Sequence, residues 1–287
     1  MIKWRQVMAK IHASAVVSPK AQLAADVEIG PHAVVEDNVR IDSGTKVLAG
    51  AYLTGWTQIG KNNVIHMGAV IGHEPQDLGW KGGRSYTKIG DGNVVREYAT
   101  IHRGTKEETS TVIGNNNFLM GLSHVAHNCQ LGNNVILCNG GLLAGYTVVE
   151  DKAFISGNVV VHQFTRLGTL SMMSGGGATS KDVPPFMIVA GRSEVYGVNL
   201  VGMRRAGFSR ETIRQIKEAY LLLFKSGLAT KSAVEKIEAG EIGPVGKELR
   251  VLLDFIKDSK TGICRPKVED RGISISTAKS QEAEDIL

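Results

Sequence analysis

The chain is poor in aromatic residues, which make up 6% of its 287 positions. That scarcity argues against a conventional sandwich packed on large rings and favours small and aliphatic side chains. Cysteine is also scarce. Cys129, Cys138 and Cys264 form an odd set with no CxxC pair, which points to a reduced, cytosolic setting rather than a disulfide or redox scaffold. No window approaches the roughly 18–20 consecutive apolar residues of a membrane span. The opening MIKWRQVMAKIHASAVV holds no apolar run long enough for a secretory signal, and Met8 offers an alternative start just ahead of Ile11. A cytoplasmic protein without a membrane span is expected. Basic runs interleaved with aromatics are missing as well, so nucleic acid is not an expected partner.

What is present is a count of six. Every sixth residue from Ile11 to Met173 is Ile, Leu or Val at 24 of 28 positions, the exceptions being Asp77, Gly83, Glu107 and Met173. A helix repeats near 3.6 and a strand at 2, so neither explains a sustained six. A hexapeptide parallel β-helix does: each hexad supplies one short strand and one corner of a triangular prism. Residue i then stacks on i+18, about 4.8 Å away in the next coil. Asn and Gly follow the rungs in IGKNNV, IGDGNV, IGNNNF and LGNNVI, where tight corners need unusual φ.

The interruptions predict loops at 73–88 and 104–111, and a regular scaffold that interrupts itself usually does so for binding. The β-helical domain is expected over 9–190, ending soon after Pro184–Pro185. A small helical domain follows over 191–261. In it Ser209 caps a helix that stops at Gly227, with Ile213, Ile216, Tyr220 and Leu223 on its buried side. Further helices are expected from about Thr230 and around Val245–Lys257. Residues 262–287 read as a disordered tail. Residues 204–260 carry 12 Lys/Arg against 8 Asp/Glu, a basic bias suited to an acidic partner.

Of eight histidines, His102, His124, His127 and His162 fall in the middle coils near the loops. His127 stacks on Gly145 and, one coil further, on Gln163. An imidazole facing a glycine leaves an open notch with a reachable backbone N–H, which suits a general base beside an oxyanion donor. Corner hydrogen bonding without chemistry is the plain alternative. A zinc site is another, as in the γ-type carbonic anhydrases, which use this prism and three histidines. Cys129 reads as a packing residue.

The segments HEPQDLGWKGG, REYATIHRGT, SHVAHNCQLG, VHQF and GVNLVGMRRAGFSRE together resemble the acyl-carrier-protein-dependent UDP-N-acetylglucosamine O-acyltransferases that begin lipid A synthesis. The resemblance implies a left-handed prism, a homotrimer with active sites between subunits, and no cofactor beyond acyl carrier protein as donor. It implies transfer of a 3-hydroxyacyl group to the glucosamine 3-hydroxyl of UDP-N-acetylglucosamine. His127 matches the catalytic base and Gly145 the oxyanion donor. Gln76 and Asp77 match sugar-nucleotide contacts, and His102, His124, His162 and Gln163 match cleft residues. Asn199 and Arg205 match contacts to the uridine diphosphate, and Gly175 the position that limits acyl length. The chain departs from the family pattern at Asn128 (usually Asp), Gly79 (Lys), Tyr146 (His) and Val201 (Glu). These departures keep open N-acyl transfer to a 3-amino UDP-sugar or a UDP-glucosamine derivative.

Overall fold

The computed structural model describes residues 9–267. Its sheets realise the count of six. Twenty-six short strands wind from Lys10 to Thr179 and lie in three parallel sheets, the walls of a prism. The first wall is then extended by strands Met187–Ala190 and Glu194–Val198. In regular coils the register is i to i+18, as in Val125 with Leu143 and Leu143 with Val161. The rung residues close the interior: Leu53, Ile71, Val125, Leu143 and Val161 are all 0% exposed. Met173, an exception by residue type, occupies its rung like any aliphatic. A buried ladder supports one wall, in which Asn93 N–H donates to Asn63, Asn117 N–H to Asn93, and Val135 N–H to Asn117.

The corners explain the glycine and asparagine. From Asn116 to Gly176 every sixth residue has a positive φ. Non-glycine L-residues resist this left-handed region, and Asn tolerates it best because its short amide bonds locally. Asn128, with φ of 60°, is one of these corner residues.

Two insertions interrupt the coils without breaking the count. The pairing offset rises to 30 residues at Val70 with Thr100 and to 24 at Thr100 with His124, both multiples of six. Both loops are narrower than expected. The first runs over 74–85, because His73 ends one strand and Tyr86 begins the next. The second runs over 103–109, because Ser110 and Thr111 already pair with Tyr86 and Thr87.

The β domain also outlasts the expected boundary at 190. Met187–Ala190 joins the last coil in parallel, then turns back antiparallel through Glu194–Val198 and closes the end of the prism. Helix α1 (Leu200–Arg205), not foreseen, follows at once. Helix α2 (Arg210–Phe224) is capped by Ser209, whose hydroxyl accepts from Thr212 N–H, and buries Ile216 and Leu223 as expected. Ile213 and Tyr220 are partly buried beside them. Helices α3 (Thr230–Glu238) and α4 (Lys247–Lys257) complete the domain.

The expected disorder from 262 does not hold at its start. Ile263 pairs with Asp182 and Arg265 with Glu194, and Cys264 is buried. One apolar side chain and two bridges dock this segment without any periodicity. The rest of that tail, and Met8, lie outside the described residues. The fastening centres on Asp182, 1% exposed, whose carboxylate accepts from Arg166, Ser259 and Thr261.

Candidate active site

Val125 fixes the placement of His127. With the rung side chain inside the prism, the chain reaches its corner two residues later and turns through Asn128. The His127 ring therefore leans along the edge onto the next coil, where Tyr146 N–H donates to the His127 carbonyl at 3.0 Å. At that coil stands Gly145. A Cβ there would lie 2.4 Å from the ring Cε1 and 2.5 Å from Nε2, so the imidazole itself requires a glycine. No acceptor meets the Gly145 N–H among the described residues.

The loop over 74–85 covers this ring and leaves His127 only 6% exposed. It brings the Asp77 carboxylate to 3.6 Å from Nε2. Asp77 is itself held: it accepts from Gly79 N–H at 2.8 Å and from the Thr105 hydroxyl at 2.9 Å. These two bonds, with the imidazole adding to them, keep its carboxyl below the usual range. On the other side Nδ1 lies 3.1 Å from Asn128 Oδ1. Tyr146 meets the ring edge-on at 5.3 Å and stacks in turn on Phe164.

Toward the N-terminal coils a second group adjoins. His124 Nδ1 lies 2.6 Å from the Thr100 hydroxyl, and its ring meets His102 edge-on at 4.8 Å. His102 is 5% exposed, its Nδ1 has no partner, and burial beside other histidines pushes it down to about 4. At neutral pH it is an uncharged imidazole. Burial, reinforced by His127, lowers His124 as well. Further along the same edge a cavity of about 670 Å³ is lined by Glu36, Tyr52, Trp56, His73, Glu74 and Arg103 among others. The Arg103 guanidinium donates to the Gly72 carbonyl and to Glu74, and lies over the Trp80 ring.

One protomer thus brings together Asp77, His102, His124, His127 and Gly145. Gln76, His162 and Gln163 are exposed nearby on the same edge. Gly175 sits at the edge before the strand Ala178–Thr179, where a Cβ would meet only the Gly157 carbonyl at 3.5 Å and Ser156 at 3.9 Å. Asn199 is on another edge, where it caps α1 through Gly202 N–H and donates to the Leu170 carbonyl. Arg205 ends that helix and is exposed. Residue-by-residue reading passed over Arg103 and Thr105, although both lie inside the segment REYATIHRGT; a side chain that acts through a neighbour leaves no spacing to detect. Cys129 is packing, as expected: it is 0% exposed, donates to the Ala144 carbonyl, and burial pushes its thiol up to about 12. Among the described residues no three His, Cys, Asp or Glu side chains converge as metal ligands would.

A prism of hexapeptide coils, with a corner-borne imidazole laid on a bare glycine, defines a hexapeptide-repeat acyltransferase. Family models agree: bacterial transferase hexapeptide repeats match residues 110–145, and the second domain of UDP N-acetylglucosamine O-acyltransferases matches 182–264. The chain belongs to the acyl-[acyl-carrier-protein]–UDP-N-acetylglucosamine O-acyltransferase family. The enzyme of that name from Thermodesulfovibrio yellowstonii is 45% identical, covering 90% of this chain and 100% of its own. That from Syntrophobacter fumaroxidans is 41% identical, covering 89% and 100%. Among solved structures, the UDP-N-acetylglucosamine acyltransferase of Bacteroides fragilis superposes with a TM-score of 0.85 at 43% identity, covering 88% of this chain and 99% of that one. The prism is accordingly a left-handed β-helix. No helix among the described residues is long and apolar enough to cross a membrane.

Proposed function

We propose that this chain transfers a 3-hydroxyacyl group from acyl carrier protein to the 3-hydroxyl of UDP-N-acetylglucosamine, the first step of lipid A biosynthesis, in the cytoplasm. The carrying observation is the His127 ring laid over Gly145, with Nε2 turned toward the loop that bears Asp77. In this reading Nε2 takes the proton of the sugar hydroxyl as its oxygen attacks the thioester carbonyl. The Gly145 N–H holds the oxyanion of the tetrahedral intermediate, and Asp77 favours the imidazolium formed beside it. Collapse of the intermediate breaks the C–S bond, and the imidazolium returns its proton to the carrier thiolate. Gln76, His102, His124, His162 and Gln163 line the cleft, and the acyl chain runs toward Gly175. His127→Ala is expected to abolish turnover and leave the protein folded; full activity in that variant would remove the base assignment.

A homotrimer belongs to this reading. His127, Gly175 and Asn199 occupy three different edges of one prism, so a single protomer cannot gather them round one substrate. Neighbouring subunits can, and Asn199 and Arg205 then serve the uridine diphosphate of an adjacent site. The basic C-terminal helices suit an acidic carrier protein. A second reading rests on Asn128, which orients an imidazole but brings no charge to it. Under it the acceptor is a 3-amino UDP-sugar and the product an amide, which survives mild alkali where an ester hydrolyses. The zinc alternative is tested by metal analysis of the purified protein.

A further inference from the structure

The six-residue insertion places Thr105 against both groups that flank the catalytic imidazole. Its backbone N–H donates to Asn128 Oδ1 at 2.9 Å, and its hydroxyl donates to Asp77 Oδ2 at 2.9 Å. Thr105 is 8% exposed, so water does not compete freely for either bond. An amide differs from a carboxylate in having a wrong way round. Turned one way, Asn128 offers His127 an acceptor; turned the other, it offers a donor. A peptide N–H can only donate, so the Asn128 atom it meets is the oxygen. That same oxygen lies 3.1 Å from His127 Nδ1. The neutral ring must therefore carry its proton on Nδ1, and Nε2 keeps the lone pair that faces Asp77 and Gly145.

Among the described residues no other group bonds Asn128 Oδ1, and the Asp77 carboxylate, 3.6 Å from Nε2, lies beyond hydrogen-bond reach of that nitrogen. Asn128 N–H is used by the Thr111 hydroxyl at 2.8 Å, which holds the corner backbone but leaves the amide free to turn. We infer that Thr105 is a positioning residue for the acyl transfer: its N–H sets the His127 tautomer through Asn128, and its hydroxyl holds the Asp77 carboxylate beside Nε2. The inference rests on His127 being the base. It gives the shorter insertion a task, and it states what an Asn at 128 requires that an Asp would not. A carboxylate accepts through either oxygen and needs no orienting.

The test uses the full-length protein with ¹⁵N-labelled histidine and steady-state kinetics. In the wild type the His127 ring is expected wholly as the Nδ1–H tautomer; an Nε2–H ring overturns the inference. Thr105→Val keeps the N–H and loses the hydroxyl. It is expected to retain the tautomer and lower kcat about tenfold, an effect typical of one charge-assisted bond, while KM for the sugar nucleotide stays within about twofold. Thr105→Ser is expected to restore kcat. A rise in KM at unchanged kcat would instead make Asp77 a substrate contact that Thr105 merely supports, and overturns the positioning role. Thr105→Pro removes the N–H and is expected to admit the second tautomer, with Asn128→Asp in that background returning the ring to Nδ1–H. A proline variant with the wild-type tautomer alone overturns the role of the N–H. If the proline variant does not fold, the wild-type tautomer and the valine variant still decide. His127→Ala separates the two levels: activity there defeats the base itself, whereas an inactive His127→Ala beside a fully active Thr105→Val defeats only Thr105.

Discussion

Gly145→Ala tests how closely the site is built, because the substitution keeps every backbone donor. Gly145 does not use a left-handed φ, so alanine meets no backbone strain there. Its methyl would lie 2.4 Å from His127 Cε1, where ordinary contacts begin at 3.4 Å. The ring must therefore retreat by about 1 Å, a displacement of the kind that costs roughly 10²-fold in rate, or about 2.7 kcal/mol in the barrier. The fold should suffer less. An imidazole can pivot under the loop that covers it, so the loss is expected near the low end of overpacking, about 1 kcal/mol. Since the alanine N–H could still bind an oxyanion, a fall in kcat reports the ring and not the donor. The assay is steady-state turnover with an acyl carrier protein donor, beside a denaturant midpoint. Gly197→Ala, where a methyl meets nothing within 4 Å, serves as the control. A folded Gly145→Ala enzyme with kcat within about threefold of the wild type would refute the close packing on which the mechanism depends.

Gly175→Met should shorten the preferred acyl chain, because a Cβ there makes only ordinary contacts, with the Gly157 carbonyl at 3.5 Å and Ser156 at 3.9 Å, and leaves room for a longer side chain; a ladder of acyl carrier proteins showing unchanged preference removes the idea of a ruler. Asp182→Ala should lower stability by about 3 kcal/mol, since it strips the buried acceptor from Arg166 and from the hydroxyls of Ser259 and Thr261. An unchanged denaturant midpoint would show that the C-terminal segment is fastened elsewhere. His102, lowered in the folded state to about 4 from 6.5, must gain a proton on unfolding between those values. Stability from this group is thus fully present above pH 6.5 and lost as pH falls toward 4, on the order of 3 kcal/mol. His102→Gln should flatten that part of the curve in pH-dependent unfolding, and an unaltered curve would place the acid sensitivity in other groups.

The prism was legible because its physics is one-dimensional. A rung side chain has to face inward once per wall, so the period survives in the sequence wherever a wall exists. It survives even across the insertions, which are whole numbers of hexads: Ile71 and Ile101 are in register although 30 residues separate them. The same rule fixed which residue lies over His127, and Gly145 is there. Loop edges were less legible. Thr111 has the composition of a loop residue, yet it sits buried in a wall strand where its hydroxyl accepts from Asn128. The contacts that complete the site were not legible at all. Asp77 reaches His127 only because a loop folds back over the edge, and no periodicity governs how a loop folds. Asn128 shows the limit most clearly. As a residue type it reads as a departure and as a good corner former, and both descriptions hold. Its chemical meaning depends on which end of the amide faces the ring. That is decided by a peptide N–H from an insertion 23 residues away, through a bond that any residue except proline could donate at that position.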